Sequence, residues 1–304
     1  MKIIFSRKGF DSGTGCIPSP IMPDGTMISL PIPDRFGTVA YGDLACAEYN
    51  VGKLVTDLKG KRKNHKNAQV LLTAFDRAHL DPDLSKDICT RTAKSWRSAL
   101  GQCGSAAGVL HNHNIGAGDL FLFFGWFRQC ETFGDTYRYV RGAQDIHTLF
   151  GYLKIGSIIE IGKDLIPDWA RQHPHLHGTR QGRNVLYVAA DSLGLPGTEH
   201  LSGAGTFQRF RQQLQLTAPG KSRSIWRLPR WMYPENGKPA LSSHDKIDRW
   251  QLSEDCCQLE SVGRGQEFVL DTSCYPEAVD WILSFISAIK ENHEISGAGF
   301  LTDK

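Results

Sequence analysis

The apolar positions of this chain change period several times, and those changes outline its elements. In "GDLFLFFGWFR", residues 118–128, Leu120, Phe121, Leu122, Phe123, Phe124, Trp126 and Phe127 are apolar at both parities. A strand with one wet face alternates apolar and polar residues, so this strand must be covered on both faces. "HTLFGYLKIGSIIEI", residues 147–161, predicts a second long strand, broken near Gly151 and Gly156. Shorter strands are predicted over residues 2–5, 137–140, 184–189 and 224–228, and over "QEFVL", residues 266–270. "GTMISLPIP", residues 25–33, reads as an extended hairpin arm that Pro31 and Pro33 confine to an edge.

Helical spacing occurs twice. Leu84, Ile88, Trp96 and Leu100 predict an amphipathic helix over 84–100 with Asp83 at its N-cap. Pro276 opens a C-terminal helix with Val279, Ile282, Phe285, Ile286 and Ile289 along one side. Strands grouped centrally with helices towards both ends predict a single α+β domain over 1–304, with a mixed sheet or a small barrel at its centre. The glycine-punctuated strands of residues 105–230 resemble the PUA-like barrels, including ASCH and EVE domains, which read RNA or modified bases. That resemblance concerns the fold alone.

Composition narrows the setting. The 304 residues carry 35 basic and 32 acidic side chains, a formal net charge of +3. That balance is too weak to announce a nucleic-acid or membrane protein, so local patches must carry the argument. The longest apolar run is less than half a membrane span, and the first residues lead straight into polar sequence, which predicts a cytoplasmic protein without a membrane partner. The eight cysteines form no regular framework and are expected as free thiols. Cys103, His111, His113 and Cys130 are candidate zinc ligands by type, but they lack the paired-cysteine knuckle of structural sites.

Several segments concentrate reactive groups. "FSRKGFDSG" places Arg7 and Lys8 after a strand, where cations and backbone N–H groups could meet a phosphate, with Asp11 and Ser12 on the same loop. "AHLDPDL" sets His79, Asp81 and Asp83 at alternate positions, one face of an extended segment, suited to a metal or to acid/base work. His111 and His113 precede the buried strand and are expected at one end of the core. "RQHPHLHG" supplies His173, His175 and His177 at period two, imidazoles that bind divalent ions or shuttle protons near neutrality. "KSRSIWRLPRWMY" interleaves Arg223, Arg227 and Arg230 with Trp226 and Trp231, a composition that suits a flipped base or single strand. The charge run of residues 59–66, "KGKRKNHK", reads first as a solvated loop.

Taken together, "KIIFSRKGFDSGTG", "HLDPDL", "GDLFLFFGWFR", "HTLFGYLKIG", "HPH", "LYVA" and "RSIWRLP" resemble the nucleotide modification associated domain, type three, of bacterial and phage proteins. The resemblance runs from Lys2 to about Trp281. It implies a DNA base-modification setting, with DNA or a nucleotide as partner beside other enzymes of such a pathway. It also carries over Arg7, Lys8, Asp11, Ser12, His79, Asp81, Asp83, Asp119, Arg128, His147, His173 and His175 as polar candidates, while His113 stands where the pattern needs no histidine. Two functions follow, beside a third reading as a structural subunit that delivers DNA to a partner enzyme. One is a nucleotide- or base-directed enzyme, with Asp11, His79, Asp81, His111, His173 and His175 as acid/base or metal-holding groups, a divalent metal as the candidate cofactor, and Arg7, Lys8, Ser12, Arg128, Arg223 and Trp226 on the nucleotide. The other is a non-catalytic reader that stacks a base on Trp226 or Trp231.

Overall fold

The computed structural model describes residues 1–64, 66–235, 240–263 and 265–286. The strands that position the site are β1 (Lys2–Arg7), β2 (Ser19–Ile21), β3 (Ala99–Cys103), β4 (Leu120–Phe133), β5 (Thr136–Tyr139), β6 (Ile146–Glu160), β7 (Asn184–Ala189), β8 (Ala204–Thr206), β9 (Ile225–Pro229), β10 (Trp250–Leu252), β11 (Cys256–Glu260) and β12 (Glu267–Asp271). The α-helices are α1 (Val51–Asp57), α2 (Gly104–Asn112) and α3 (Glu277–Ile286). The fold is α+β, built on a nine-stranded mixed sheet with the backbone order β12-β1-β4-β6-β7-β3. β1 runs parallel to β4, with Ile3 opposite Leu120, and antiparallel to β12. β2 and β5 add to β4, and β8 adds to β6. β9, β11 and β10 form a separate three-stranded sheet.

The apolar run behaves as its pattern demands. Leu120 to Phe124 and Phe127 have no exposed surface, because β4 carries packed side chains on both faces. Phe121 and Phe123 meet Tyr187 and Phe150, while Phe124 meets Trp226 and Phe268. β1 is equally enclosed at Ile3, Ile4 and Phe5.

Three expectations change in the structure. First, among the described residues the sheet path is open and no barrel closes over 105–230; β1 and β12, from the two ends of the chain, occupy the side of β4 that closure would need. Second, the breaks expected at Gly151 and Gly156 are register shifts within one continuous strand: Phe123 pairs with Gly151 but Phe124 with Leu149, and Gly156 is passed over between Ile155 and Ser157. Third, no helix spans 84–100. Only Lys86–Ile88 turns, as a single 3-10 element, and Leu100 belongs to β3. Between Ile88 and Trp96 the sequence offers no apolar residue to a helical face beyond Cys89 and Ala93. Asp83, instead of capping, pairs its backbone with Ala99 and holds Arg91 through two hydrogen bonds of 2.6 and 2.7 Å. The helix of this region is α2, which buries Ala107 and Leu110 three residues apart.

The C-terminal helix forms as expected, burying Ala278, Ile282, Phe285 and Ile286; Ile289 lies outside the described residues. A second, smaller core gathers Phe10, Ile28, Leu30, Tyr41, Leu54 and Leu80 around α1, whose N-cap Asn50 accepts from the Lys53 N–H at 2.9 Å. The chain passes from this core to the main one between Leu80 and Leu84. The run of residues 59–66 is, where described, one arm of a short hairpin in which Lys61–Lys63 pairs with Gln69–Leu71. No helix of the described residues is long and apolar enough to cross a membrane.

Candidate metal centre

Asp81 sits in the passage between the two cores with almost no exposed side-chain surface. Burying a carboxylate there requires partners. One oxygen, Oδ1, accepts from the backbone N–H of Gly101 at 2.7 Å, in the middle of β3, and lies 3.4 Å from His173 Nε2. The other, Oδ2, faces His175 Nε2 at 3.6 Å and His79 Nε2 at 3.8 Å. Gly101 is required by this approach, because a methyl group there would run into the His175 ring. Burial works to neutralise Asp81, yet the contacts with His173 and His175 and the charge of Lys8 outweigh it and hold the carboxyl well below the usual range.

The protons on the two facing imidazoles can be placed from their far sides. His79 Nδ1 lies 2.8 Å from Asp34 Oδ2, and an ionised carboxylate only accepts, so Nδ1 carries the hydrogen. Asp34 is kept ionised: burial opposes this, but His79, the Phe36 N–H at 2.9 Å and Arg180 at 3.0 Å prevail. His175 Nδ1 lies 2.8 Å from Asn184 Oδ1, while the Asn184 amide donates to the His175 carbonyl at 2.9 Å. That pairing orients the amide and makes Nδ1 of His175 the donor. Burial brings the His175 ring down to about 4 against the pull of Asp81, so at neutral pH it is uncharged. The His175 Nε2 atom therefore presents a lone pair towards an anionic oxygen, and the His79 Nε2 atom faces the same oxygen.

His79, Asp81 and His175 offer ligand atoms that all lie within 4.8 Å of one another. Three ligand-type atoms converge there, and each imidazole is already oriented from behind by an oxygen, as in metal-ligating histidines. The donor set of two imidazoles and one carboxylate suits a transition divalent ion better than magnesium or calcium. His173 differs. Its Nδ1 accepts from the His175 N–H at 3.3 Å, which leaves a hydrogen on Nε2, 3.4 Å from Asp81 Oδ1 but outside ordinary hydrogen-bond geometry.

Behind Asp81 lies a second polar group. Lys8, immediately after β1, places Nζ 3.6 Å from Glu267 Oε1, to which Ser6 donates at 3.1 Å and Gln102 also donates. Glu267 is fully enclosed; its Oε2 has no hydrogen-bond partner among the described residues, and burial pushes its carboxyl up despite Lys8. Two hollows flank the cluster. One, of about 490 Å³, has Gly9, Asp81, Leu84 and Phe150 in its wall with Ser29 and Gln208; the other, of about 650 Å³, has Asp34 and Arg180 in its wall.

The model of the nucleotide modification associated domain 3 matches residues 2–271, so it spans the whole cluster. The chain belongs to that family. No curated protein and no solved structure matches it.

Within this nucleotide modification associated domain 3 chain, the residues singled out in the sequence fall into separate places. His79, Asp81, His173 and His175 converge, with Lys8 close by. Arg7 turns away: its guanidinium donates to the Val262 and Gly263 carbonyls at 2.8 and 2.9 Å and lies over Phe124 and Phe268. Asp11 and Ser12 are exposed, and Asp11 Oδ1 closes its own loop on the Gly13 and Thr14 N–H groups. His111 is exposed in the last turn of α2, where the neighbouring His113 carbonyl accepts from Lys2 at the opposite end of β1 from Lys8. Asp119 binds the Lys2 and Gly116 N–H groups. Arg128 forms a paired contact with Asp145, two bonds of 2.7 Å, and Arg223 lies 4.1 Å above the Trp126 ring.

Trp226 is fully buried and donates to His147 Nδ1 at 3.0 Å, leaving no open ring face. Trp231 is half-buried against Tyr275 and Trp281. His147, also buried, is pushed down to about 3 by desolvation and by the charges of Arg7 and Arg223. Among the described residues no other group of three ligand types gathers in this way, and all eight cysteines are free thiols. The sequence reading missed Asp34, Gly101, Arg180 and Asn184. Only Asn184, a polar residue opening an apolar strand, left a visible signal.

Proposed function

We propose that this protein is a metal-dependent enzyme of a nucleotide-modification system, acting on a base or nucleotide at the His79–Asp81–His175 centre. The observation that carries this reading is the convergence of His79 Nε2 and His175 Nε2 on Asp81 Oδ2, with Asp34 and Asn184 fixing both rings from behind. A divalent ion held there would supply Lewis acidity or an activated water. His173 holds Asp81 in place and supplies a proton at Nε2, next to the reacting side of the carboxylate. Lys8 keeps Asp81 ionised, and Glu267, held towards its neutral form, is a candidate proton donor. The hollow walled by Asp81, Leu84 and Phe150 has the size and mixed lining that a single base needs.

Metal analysis of the purified chain, paired with nucleoside mass spectrometry of DNA from cells with and without it, tests the reading. About one transition metal per chain is expected, lost in Asp81→Asn, together with a mass change in one nucleoside that the variant does not produce. A chain that takes up no metal and changes no nucleoside would overturn the reading. Tight binding of a modified nucleoside with no turnover would favour the alternative, a reader that uses the same hollow without chemistry.

A further inference from the structure

The 650 Å³ hollow on the far side of Asp34 differs in kind from the cavity beside Asp81. Its wall takes Arg35, Lys61, Arg62, Lys63, Arg77 and Arg180, six cations, against two acids, Asp34 and Asp76. Both acids are engaged: Asp34 with His79 and Arg180, Asp76 with Arg62 and the Thr73 turn. Arg35, Lys61 and Lys63 have no acidic partner among the described residues. In a chain whose whole net charge is +3, this concentration marks a place where anionic charge is wanted.

Two aromatic rings belong to the same wall. Phe75 is 91% exposed at the tip of a turn that Asp76 ties down through the Thr73 N–H and hydroxyl at 2.8 and 3.0 Å. Phe36, 43% exposed, rests on Gly178 with the Arg35 guanidinium 4.5 Å above its ring. Beside the cations, two outward ring faces offer stacking surfaces for bases. Cations and exposed rings sharing one wall suit the phosphates and bases of a single strand. A duplex keeps its bases stacked and would leave the rings without partners.

We propose that this groove binds single-stranded DNA and leads the strand past the metal centre. The proposal rests on the function proposed above, since Asp34 and Arg180 form groove wall and histidine support at once. The strand Lys61–Lys63 then acts as a phosphate-binding hairpin arm.

Fluorescence anisotropy with a labelled single-stranded 12-mer, with the matching duplex and with heparin as competitor, decides the matter. The strand should bind more tightly than the duplex, with affinity falling steeply as salt rises. Charge reversal by Lys61→Glu with Lys63→Glu should weaken strand binding about 10-fold or more and flatten the salt dependence. Phe75→Ala should weaken it about 5- to 100-fold, in line with loss of one stacked base, at unchanged melting temperature. Chelator-treated wild-type protein should bind the strand as the untreated protein does, so failure of the metal centre and failure of the groove are read separately. Strand affinity unchanged by all these groove variants would overturn the proposal. So would binding that heparin matches while Phe75→Ala has no effect, which would reduce the groove to a general polyanion surface.

Discussion

His147, in β6, and His175, in the short 3-10 turn Pro174–Leu176, are both buried histidines, and they do opposite things. His147 accepts a hydrogen bond from the Trp226 indole among Phe124 and Phe268, with two arginines as its nearest charges. His175 donates to Asn184 and turns its free lone pair towards Asp81. Both rings are neutral at pH 7, so burial and charge state do not separate them. What separates them is what each lone pair faces: the Trp226 indole N–H in one case, an anion shared with a second imidazole in the other. A buried histidine marks chemistry only when its lone pair is left facing something that a cation must bridge.

The largest effect that should break the comparison is Trp226→Ala. It removes a fully enclosed indole and leaves His147 without its donor, so about 3–5 kcal/mol of stability is expected to be lost, read by denaturant unfolding. Metal content per folded chain should not change. If it does, the His147 region and the His175 centre are one unit and the contrast fails.

Acid comes next. The ring of His147 is held down to about 3 from an ordinary value near 6.5, so its contribution to stability is complete above pH 6.5. It is lost as pH falls towards 3, because the unfolded chain takes up a proton that the folded chain refuses. His244, pushed down to about 4 mainly by burial, acts in the same direction. Together they predict a melting temperature that falls steadily below pH 6.5, with the His147 share on the order of 3–5 kcal/mol at the acid end. A melting temperature flat from pH 7 to pH 4 would contradict this.

The smallest effect sharpens the other side. Asp34→Asn keeps the shape at His79 Nδ1 but removes the charge that fixes its hydrogen there, so metal affinity should fall about 10- to 100-fold, measured by competition with a chelator. Protein stability should change little. Loss of fold rather than of metal would make Asp34 a structural anchor only.

Particular elements show how far the pattern of residues could be read. The strand at residues 184–189 and the C-terminal helix opened by Pro276 were legible because each buries a continuous face, and burial writes a period into sequence. The 84–100 segment misled because four widely spaced apolar residues matched a helical period while serving two different purposes. Leu84 and Leu100 enter the main core, whereas Trp96 donates to Asp83. The site was legible in part. The alternating motifs at 79–83 and 173–177 named His79, Asp81, His173 and His175, but alternation also nominated Asp83 and His177, which face elsewhere. The partners that make the imidazoles useful lie far away along the chain: Asp34 is 45 residues before His79, and Gly101 is 20 residues after Asp81.

The amino-acid sequence alone determined the twice-buried central strand, the α+β class and the identity of the reactive side chains, since these depend on local period and residue chemistry. Tertiary structure alone decided which histidines meet a carboxylate, which arginines are consumed by backbone carbonyls, and where two hollows open beside one buried anion. Hydrogen-bond direction and charge neutralisation depend on through-space distances between segments that the chain order does not encode.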